Sequence, residues 1–509
     1  MNSIKKLNKK EIVESDTKPI AKIKRESLWM KLINYRYSHI AVPKPKNNMI
    51  NKNLYVPKRV IISEEAKTYA VSTEMIKRVQ ILNPNVEVMT IATNMPVLPN
   101  NLDTKQRRIY LNETIVLSVR SKQANFIEVF ASPGRISENL GIMGKPISRC
   151  PLGCTFCYLQ VSGRAIPWNR IYVDMDRFKE EWMKEEYVYR ITQTLWTVVS
   201  HIQSQPLDKV PHGLKNLCDK KIRNHVLSSR KGIDSDKKAV EYLISNLPDF
   251  LNEMKITYTE DKLEKVKKEI PKWYKDNKQY PLSINLSEYT DILGLDHITN
   301  YMDLFLGWAE HNQNLQMKLR SKAPNLTNVL RHKDLSRIKI TIDLNTEKHI
   351  NMYQPYGYLL TDRIKAVNDL QIRGARVSLA IEPIMKYPGY ENDYEDLMKR
   401  ISKEIDLSNV DDIKVGCVRY KTQLKNYIPE AWPEVDMFDD LQNFQEPEKV
   451  DKRWRYSKED RIEIYSLLIN SLPENHQDLV KLGAENPEIW EKLEIDKSNI
   501  HNSVLTQVK

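Results

Sequence analysis

Three of the chain's five cysteines fall within eight residues, in the stretch CPLGCTFCYLQ that runs from Cys150 to Gln160. Cys150, Cys154 and Cys157 follow the spacing C-x3-C-x2-C. A cubane iron–sulfur cluster normally takes four thiolates. Three on one loop leave one iron without a protein ligand, and a small molecule can coordinate that open corner. The competing assignment is a structural zinc site of Cys3His type. It would need a nearby His and usually has paired C-x2-C knuckles. No His lies within forty residues after Cys157, and only one C-x2-C is present.

S-adenosylmethionine fills such a corner in radical enzymes, through its amino and carboxylate groups. An electron from the cluster then splits the sulfonium and leaves a 5′-deoxyadenosyl radical. The cofactor does the hard chemistry, and the protein supplies position and shielding. The spacing therefore predicts a [4Fe-4S] cluster with S-adenosylmethionine as its partner. Phe156 and Tyr158 flank the last ligand. They would shield the cluster or stack on the adenine, or simply pack the loop, and loop packing is the better reading of Phe156.

The chain that must hold this loop has 509 residues, room for two or three domains or one large one. Five Cys in this length make no disulfide framework and fit a reducing compartment. The opening MNSIKKLNKKEIVESD has no apolar run, so no secretory signal is expected. No stretch of eighteen apolar residues occurs, so no membrane span is expected either, and the predicted location is cytoplasmic. Residues 1–60 carry 15 Lys/Arg against 4 Asp/Glu, nearly the whole of the net charge of +12. Such an arm could neutralise phosphates and bind nucleic acid, or be a solvated tail.

Four segments are expected. Residues 1–56 form the basic arm. Residues 57–125 form a small α/β unit, with RVIISEE and VEVMTIAT as strands around the helical EEAKTYAVSTEMIKRVQIL. Residues 126–429 carry the cysteine loop, then a strand at NRIYVDM and a long helix from RFKEEWM onward. A Lys-rich, mostly helical insertion follows at about 200–280, either a lid or a surface elaboration. From 281 strand and helix alternate: SINLS, LQMKLRS, RIKITIDL, RVSLAIEPI and DIKVGCVRY are the strands. The helix YLLTDRIKAVNDLQIRG should stop at Gly374, a residue suited to a left-handed cap. Alternation of this kind argues for parallel βαβ units and a barrel or partial barrel. Its chemistry would sit at the carboxyl ends of the strands. Residues 430–509 form a C-terminal extension, with KRWRYSKED expected to pack on the barrel.

These stretches resemble the radical S-adenosylmethionine superfamily and, more narrowly, the spore photoproduct lyases. The unit around RVIISEEAKTYAV, CTFCYLQ with RIYVDMDRF, SEYTDILGLDHIT, LRSKAPN and TDRIKAVNDLQIRGARVSLAIEPI match that family over about 57–430 in pieces, apart from the 200–280 insertion, and KRWRY beyond them has a counterpart. The resemblance implies an α/β fold, a partial (β/α)6 TIM-type barrel with the small N-terminal unit and the helical insertion added. It implies an electron donor such as flavodoxin or ferredoxin. It implies an enzyme that flips a thymine dimer out of DNA, abstracts hydrogen from it and restores two thymines.

One departure bears on the chemistry. The lyases have a cysteine that returns a hydrogen atom to the product, and the matching position here holds Glu288. A carboxylic O–H bond is too strong for that task. Candidate donors are Tyr158, Tyr289, Cys417 and, in the insertion, Cys218. For Cys417 a small buried strand residue is the better reading. Glu288 has a second reading, as the carboxylate that holds the ammonium of S-adenosylmethionine, beside that of an exposed loop acid. By resemblance Lys322 meets the cofactor carboxylate, unless it is a solvated strand-end lysine. Asp343 and Asn345 end the next strand and are expected to bind the cofactor, although Asp343 stands where the family has a serine. Glu382 also replaces a small residue. These added acids make the mouth less welcoming to phosphate, although Arg419 could compensate. They favour a rival reading, radical modification of a peptide or small molecule on the same scaffold. An inactive nucleic-acid-binding protein that keeps its cluster is the third reading.

Overall fold

The computed structural model describes residues 54–495 apart from 123, 131–140, 163–166, 205–220, 223, 227–232, 278–281, 289, 312–314, 436, 439–443, 446–452 and 484. The basic arm thus lies outside the described residues up to 53, as do Tyr289 and Cys218.

Among the described residues fifteen strands are present. In chain order they are β1 (Arg59–Ser63), β2 (Glu87–Ile91), β3 (Thr114–Ser118), β4 (Ile127–Phe130), β5 (Gly141–Gly144), β6 (Ile147–Ser148) and β7 (Asn169–Tyr172). Then come β8 (Leu282–Asn285), β9 (Leu315–Ser321), β10 (Ile338–Asp343), β11 (Arg376–Ile384), β12 (Ile413–Cys417), β13 (Phe444–Gln445), β14 (Arg455–Tyr456) and β15 (Val480–Leu482). They make two main sheets and a short β13–β14 hairpin.

The first sheet has the order β2-β1-β3-β7-β6, parallel except for β6 against β7. It draws on strands beyond residue 125, and those strands bracket the cysteine loop. The second sheet has the order β4-β5-β8-β9-β10-β11-β12-β15. Only its β4–β5 edge is antiparallel. Six strands from β5 to β12 run parallel, and β15 from the C-terminal extension pairs parallel with β12, Ile413 beside Val480.

Period-2 alternation decides which face of this sheet does what. On β9 and β10 the residues Leu315, Met317, Leu319, Ile338, Ile340 and Ile342 are buried in the main core. The intervening Gln316, Lys318, Arg320, Lys339, Thr341 and Asp343 share the other face. That polar face carries Arg320 and Asp343. The helix Leu360–Ile372 ends just before Gly374, which takes φ +68° as the cap requires.

The helical segment has a core of its own. A 29-residue helix, α1 (Met175–Gln203), is about 44 Å long at the usual rise. Its first half puts Phe178 and Trp182 into the main core. Its second half packs Ile191, Leu195 and Val199 against α2 (Asp236–Glu253) and α3 (Glu260–Asp276). Ser235 and Thr259 cap those two helices through their side-chain oxygens.

His297, in the short helix Asp296–Thr299 after β8, holds the chain that leads into β1. Its ring Nε2 lies 2.8 Å from the Tyr55 carbonyl, and burial lowers its pKa to about 4 against that hydrogen bond. The unfolded chain takes up a proton there near pH 6.5. The folded chain does not, so this residue's stabilising effect is lost as pH falls from about 6.5 towards 4. The neighbouring Asp296, raised to about 7 by burial, works in the opposite sense. It does so in wild type and His297→Gln alike. The wild type should therefore lose stability relative to His297→Gln on acidification across that window, read from urea midpoints at each pH.

Candidate active site

The cysteine loop is bent by two left-handed residues, Arg149 (φ 65°) and Gly153 (φ 62°). A Cβ on Gly153 would lie 2.9 Å from the Tyr356 ring, so both the backbone angle and the space call for glycine. Backbone contacts hold the loop on its surroundings. Thr155 N donates to the Tyr353 carbonyl at 3.0 Å, and Asn112 Nδ2 donates to the Pro151 carbonyl at 2.9 Å. Gln160 Nε2 reaches the Cys154 carbonyl at 3.2 Å. Arg149 spans the loop, with Nη2 3.0 Å from the Leu159 carbonyl and Nη1 on the Pro167 carbonyl.

Cys150, Cys154 and Cys157 line one cavity together with Arg149, Asn112 and Tyr427. Among the described residues no group of three or more His, Cys, Asp or Glu is placed to hold a single metal ion. A cubane binds its thiolates at separate corners, so three cysteines lining one cavity suit it better than a single ion. Burial raises all three thiols, Cys154 to about 12, while Lys322 and Arg363 oppose the rise at Cys154. Cys157 feels Lys322 and Arg149 in the same way. Metal coordination deprotonates a thiol outright, and these cations would then face the anionic sulfurs. The three cysteines fit an iron–sulfur cluster.

The turns after β8 and β9 and the helix after β10 meet this loop. Tyr158 is 42% exposed, and its hydroxyl donates to the Glu288 carbonyl at 2.7 Å, tying the loop to the turn after β8. Phe156 packs on the His349 ring, centroids 5.4 Å apart. The Glu288 carboxyl is raised by burial, against the pull of Arg320 and Arg419.

Arg320 and Lys322 end β9 with their charges on Asp343 of β10. Arg320 grips that carboxylate through Nε at 2.6 Å and Nη2 at 2.7 Å, and Lys322 Nζ stands 2.8 Å away. Burial alone would raise Asp343, but the two cations outweigh it and hold it at about 2. Arg320 Nη1 also pairs with Glu382 of β11. Asn345 accepts from the Tyr394 hydroxyl at 3.0 Å and donates to the Pro383 carbonyl at 3.0 Å, so it braces the β10 and β11 ends.

Cys417 stands apart. Gly416, its neighbour on β12, faces Glu382. Alternation turns the next side chain to the opposite face. There its thiol lies beside Tyr465, near Glu485 and Arg461, and burial raises it to about 12.

Sequence reasoning missed Arg320, Asp291 and Arg363. Asp291 is buried and accepts from Ser321 Oγ at 2.6 Å, Lys322 N at 2.6 Å and Gly294 N at 3.1 Å, which fixes the strand end that carries Lys322. Arg363 Nη1 donates to the Asp343 carbonyl at 3.0 Å. For Arg320 a signal existed: two cations two residues apart at a strand end, followed by acids at the next two strand ends. Replacing Asp343 by Ala leaves Arg320 and Lys322 facing each other without their shared anion. A loss of about 3 kcal/mol is expected, the low end for breaking a buried pair because both cations are partly exposed. A lowered urea midpoint with unchanged slope is the readout.

Comparison with known proteins agrees with this architecture. Residues 257–477 match the family model described as spore photoproduct lyase. A spore photoproduct lyase from Clostridium acetobutylicum is 22% identical over 163 residues, 32% of this chain and 48% of that protein. One from a Geobacillus strain is 19% identical over 153 residues, 29% of this chain and 44% of that protein. The chain thus aligns with less than half the length of these relatives. In structure, a spore photoproduct lyase complexed with dinucleoside spore photoproduct superposes with a TM-score of 0.54 at 14% identity. It covers 84% of this chain and 98% of that one. A mutant form with bound AdoMet and the same dinucleoside gives the same values. By sequence over residues 257–477, and by fold over most of its length, the chain is spore photoproduct lyase-like.

Proposed function

We propose that this chain is a radical S-adenosylmethionine enzyme with one [4Fe-4S] cluster in a partial (β/α)6 barrel, acting on a thymine lesion or related nucleic-acid target. The observation that carries the reading is the single cavity lined by Cys150, Cys154 and Cys157, next to the strand ends that bear Lys322. When bound, the cluster and S-adenosylmethionine supply a reducing electron and a carbon-centred radical able to abstract hydrogen. The cysteines hold the cluster, and Arg149 keeps their loop closed. Lys322 and Arg363 offset the charge of the thiolates. Lys322 also meets the cofactor carboxylate, set in place by Asp343 and by the Asp291 contact to its backbone. Glu288 takes the cofactor ammonium, Asn345 braces the strand ends around it, and Tyr158 couples that turn to the cysteine loop. The basic arm, residues 1–56, tracks nucleic-acid phosphates, and a flavodoxin or ferredoxin delivers the electron. The location is cytoplasmic, in keeping with the described residues holding no helix long and apolar enough to cross a membrane.

Two observations favour a second reading, radical modification of a peptide or other small molecule. By the resemblance, Glu288 takes the place of the lyases' hydrogen-donating thiol. Cys417 is turned to the far face of the sheet, so it is a poor direct hydrogen donor. Tyr158, close to the turn, and Tyr289 are the donors consistent with lesion repair.

Oxygen-free protein given S-adenosylmethionine, dithionite and a spore-photoproduct dinucleotide should form 5′-deoxyadenosine and restored thymine, both read by mass spectrometry. Replacing Cys150, Cys154 and Cys157 together by Ala should abolish both. Deoxyadenosine without thymine would select the second reading. No deoxyadenosine from cluster-loaded protein would reject the enzyme assignment.

A further inference from the structure

Arg320 offers hydrogen-bond donors without a net charge. Its guanidinium has five N–H groups. Nε and Nη2 give one each to Asp343, and Nη1 gives one to Glu382. That leaves one N–H on each terminal nitrogen. The side chain is 31% exposed, so a ligand in the mouth can reach it. Asp343 and Glu382 both pair with Arg320, Lys322 also faces Asp343, Arg419 acts on Glu382, and Glu288 adds a third carboxylate beside Arg320, Arg419 and Arg453. A phosphate approaching Arg320 meets the two carboxylates already on that guanidinium, so it gains little there from Coulomb attraction. A neutral carbonyl oxygen gains hydrogen bonds and meets no opposing charge.

The position of Glu382 is built by glycines on two further strands. A Cβ on Gly416 of β12 would lie 2.5 Å from Glu382 Oε1, and one on Gly483, just after β15, would overlap that oxygen. Gly483 is fixed by its own backbone. Its N donates to the Val415 carbonyl at 2.7 Å, and its carbonyl accepts from Arg419 Nη1 at 2.9 Å. This notch is completed by a strand outside the 257–477 segment that the lyase family model matches.

We propose that Arg320 is a substrate-binding residue that donates to a neutral ring carbonyl, that of a pyrimidine. Glu382, seated in the notch of Gly416 and Gly483, sets that preference against phosphate. The inference rests on the radical-enzyme reading above. It makes the base, rather than the backbone bridge, the part of the lesion that this mouth reads.

The test is equilibrium binding to cluster-loaded full-length protein with S-adenosylmethionine present and no reductant. Two probes are compared, dinucleoside spore photoproduct and the same lesion with its bridging phosphate. Wild type should bind the dinucleoside at least as tightly as the phosphate-bearing form. Arg320→Lys keeps the charge and loses the planar fork, and should bind the dinucleoside about tenfold or more weakly. Glu382→Gln leaves Arg320 with surplus charge and should shift preference towards the phosphate-bearing probe by about tenfold. If Arg320→Lys does not fold, judged by its melting curve and iron content, the Glu382→Gln shift decides alone. Unchanged binding in a folded Arg320→Lys, a wild-type preference for phosphate of tenfold or more, or no binding of either probe would overturn the inference. Wild type that cleaves S-adenosylmethionine on reduction but gives one of those results loses only this inference. Wild type that takes up no cluster loses the enzyme reading as well.

Discussion

Asp343 carries its charge where water hardly reaches, at 2% side-chain exposure. A carboxylate in such a place is costly unless it is paired and hydrogen-bonded. Its partners arrive from separate elements: Arg320 and Lys322 from the end of β9, and Arg363 from the following helix through the Asp343 carbonyl. Arg320 passes the constraint on to Glu382 of β11, and Glu382 fits only because β12 and the segment after β15 present glycines to it. The mouth is thus one connected set of charges rather than a row of independent strand-end residues. The parallel pairing of β9 to β11 sets the register of Arg320 and Asp343, while Glu382 stands where the β11–β12 pairing shifts register between Ile381 and Ile384.

The same arrangement holds the Lys322 side chain in one place, where the proposed cofactor would meet it. Asp343 holds its ammonium and Asp291 holds its backbone. Such preorganisation lowers the entropic cost of binding an anionic group. The cysteine loop docks beside it through backbone hydrogen bonds, so the cations on Lys322, Arg363 and Arg149 and the three thiols are brought together before any cofactor arrives.

Much of this was legible in the sequence. The cysteine spacing named the loop. The alternation in LQMKLRS and RIKITIDL separated a helix-facing apolar set from a polar set, and Gly374 marked a helix end. Glu288, Lys322, Asp343 and Asn345 were all placed near strand ends, and the structure puts them there. Other features depended on distant pairing that no local pattern encodes. β15 joins the sheet from beyond residue 477, so the role of Gly483 could not be read from GAEN alone. Arg320 looked like an ordinary strand cation because its two acids lie 23 and 62 residues away. Cys417 is the small buried strand residue that the sequence favoured, and one residue of register turns it away from Glu382.

The most direct test is electron paramagnetic resonance of reduced, cluster-loaded protein before and after S-adenosylmethionine is added. A three-cysteine site with an open iron predicts a [4Fe-4S]⁺ signal whose g values shift on adding the cofactor, with the signal lost when Cys154 is replaced by Ala. A cluster signal that ignores S-adenosylmethionine, or reconstituted protein that holds no cluster at all, would contradict the assignment.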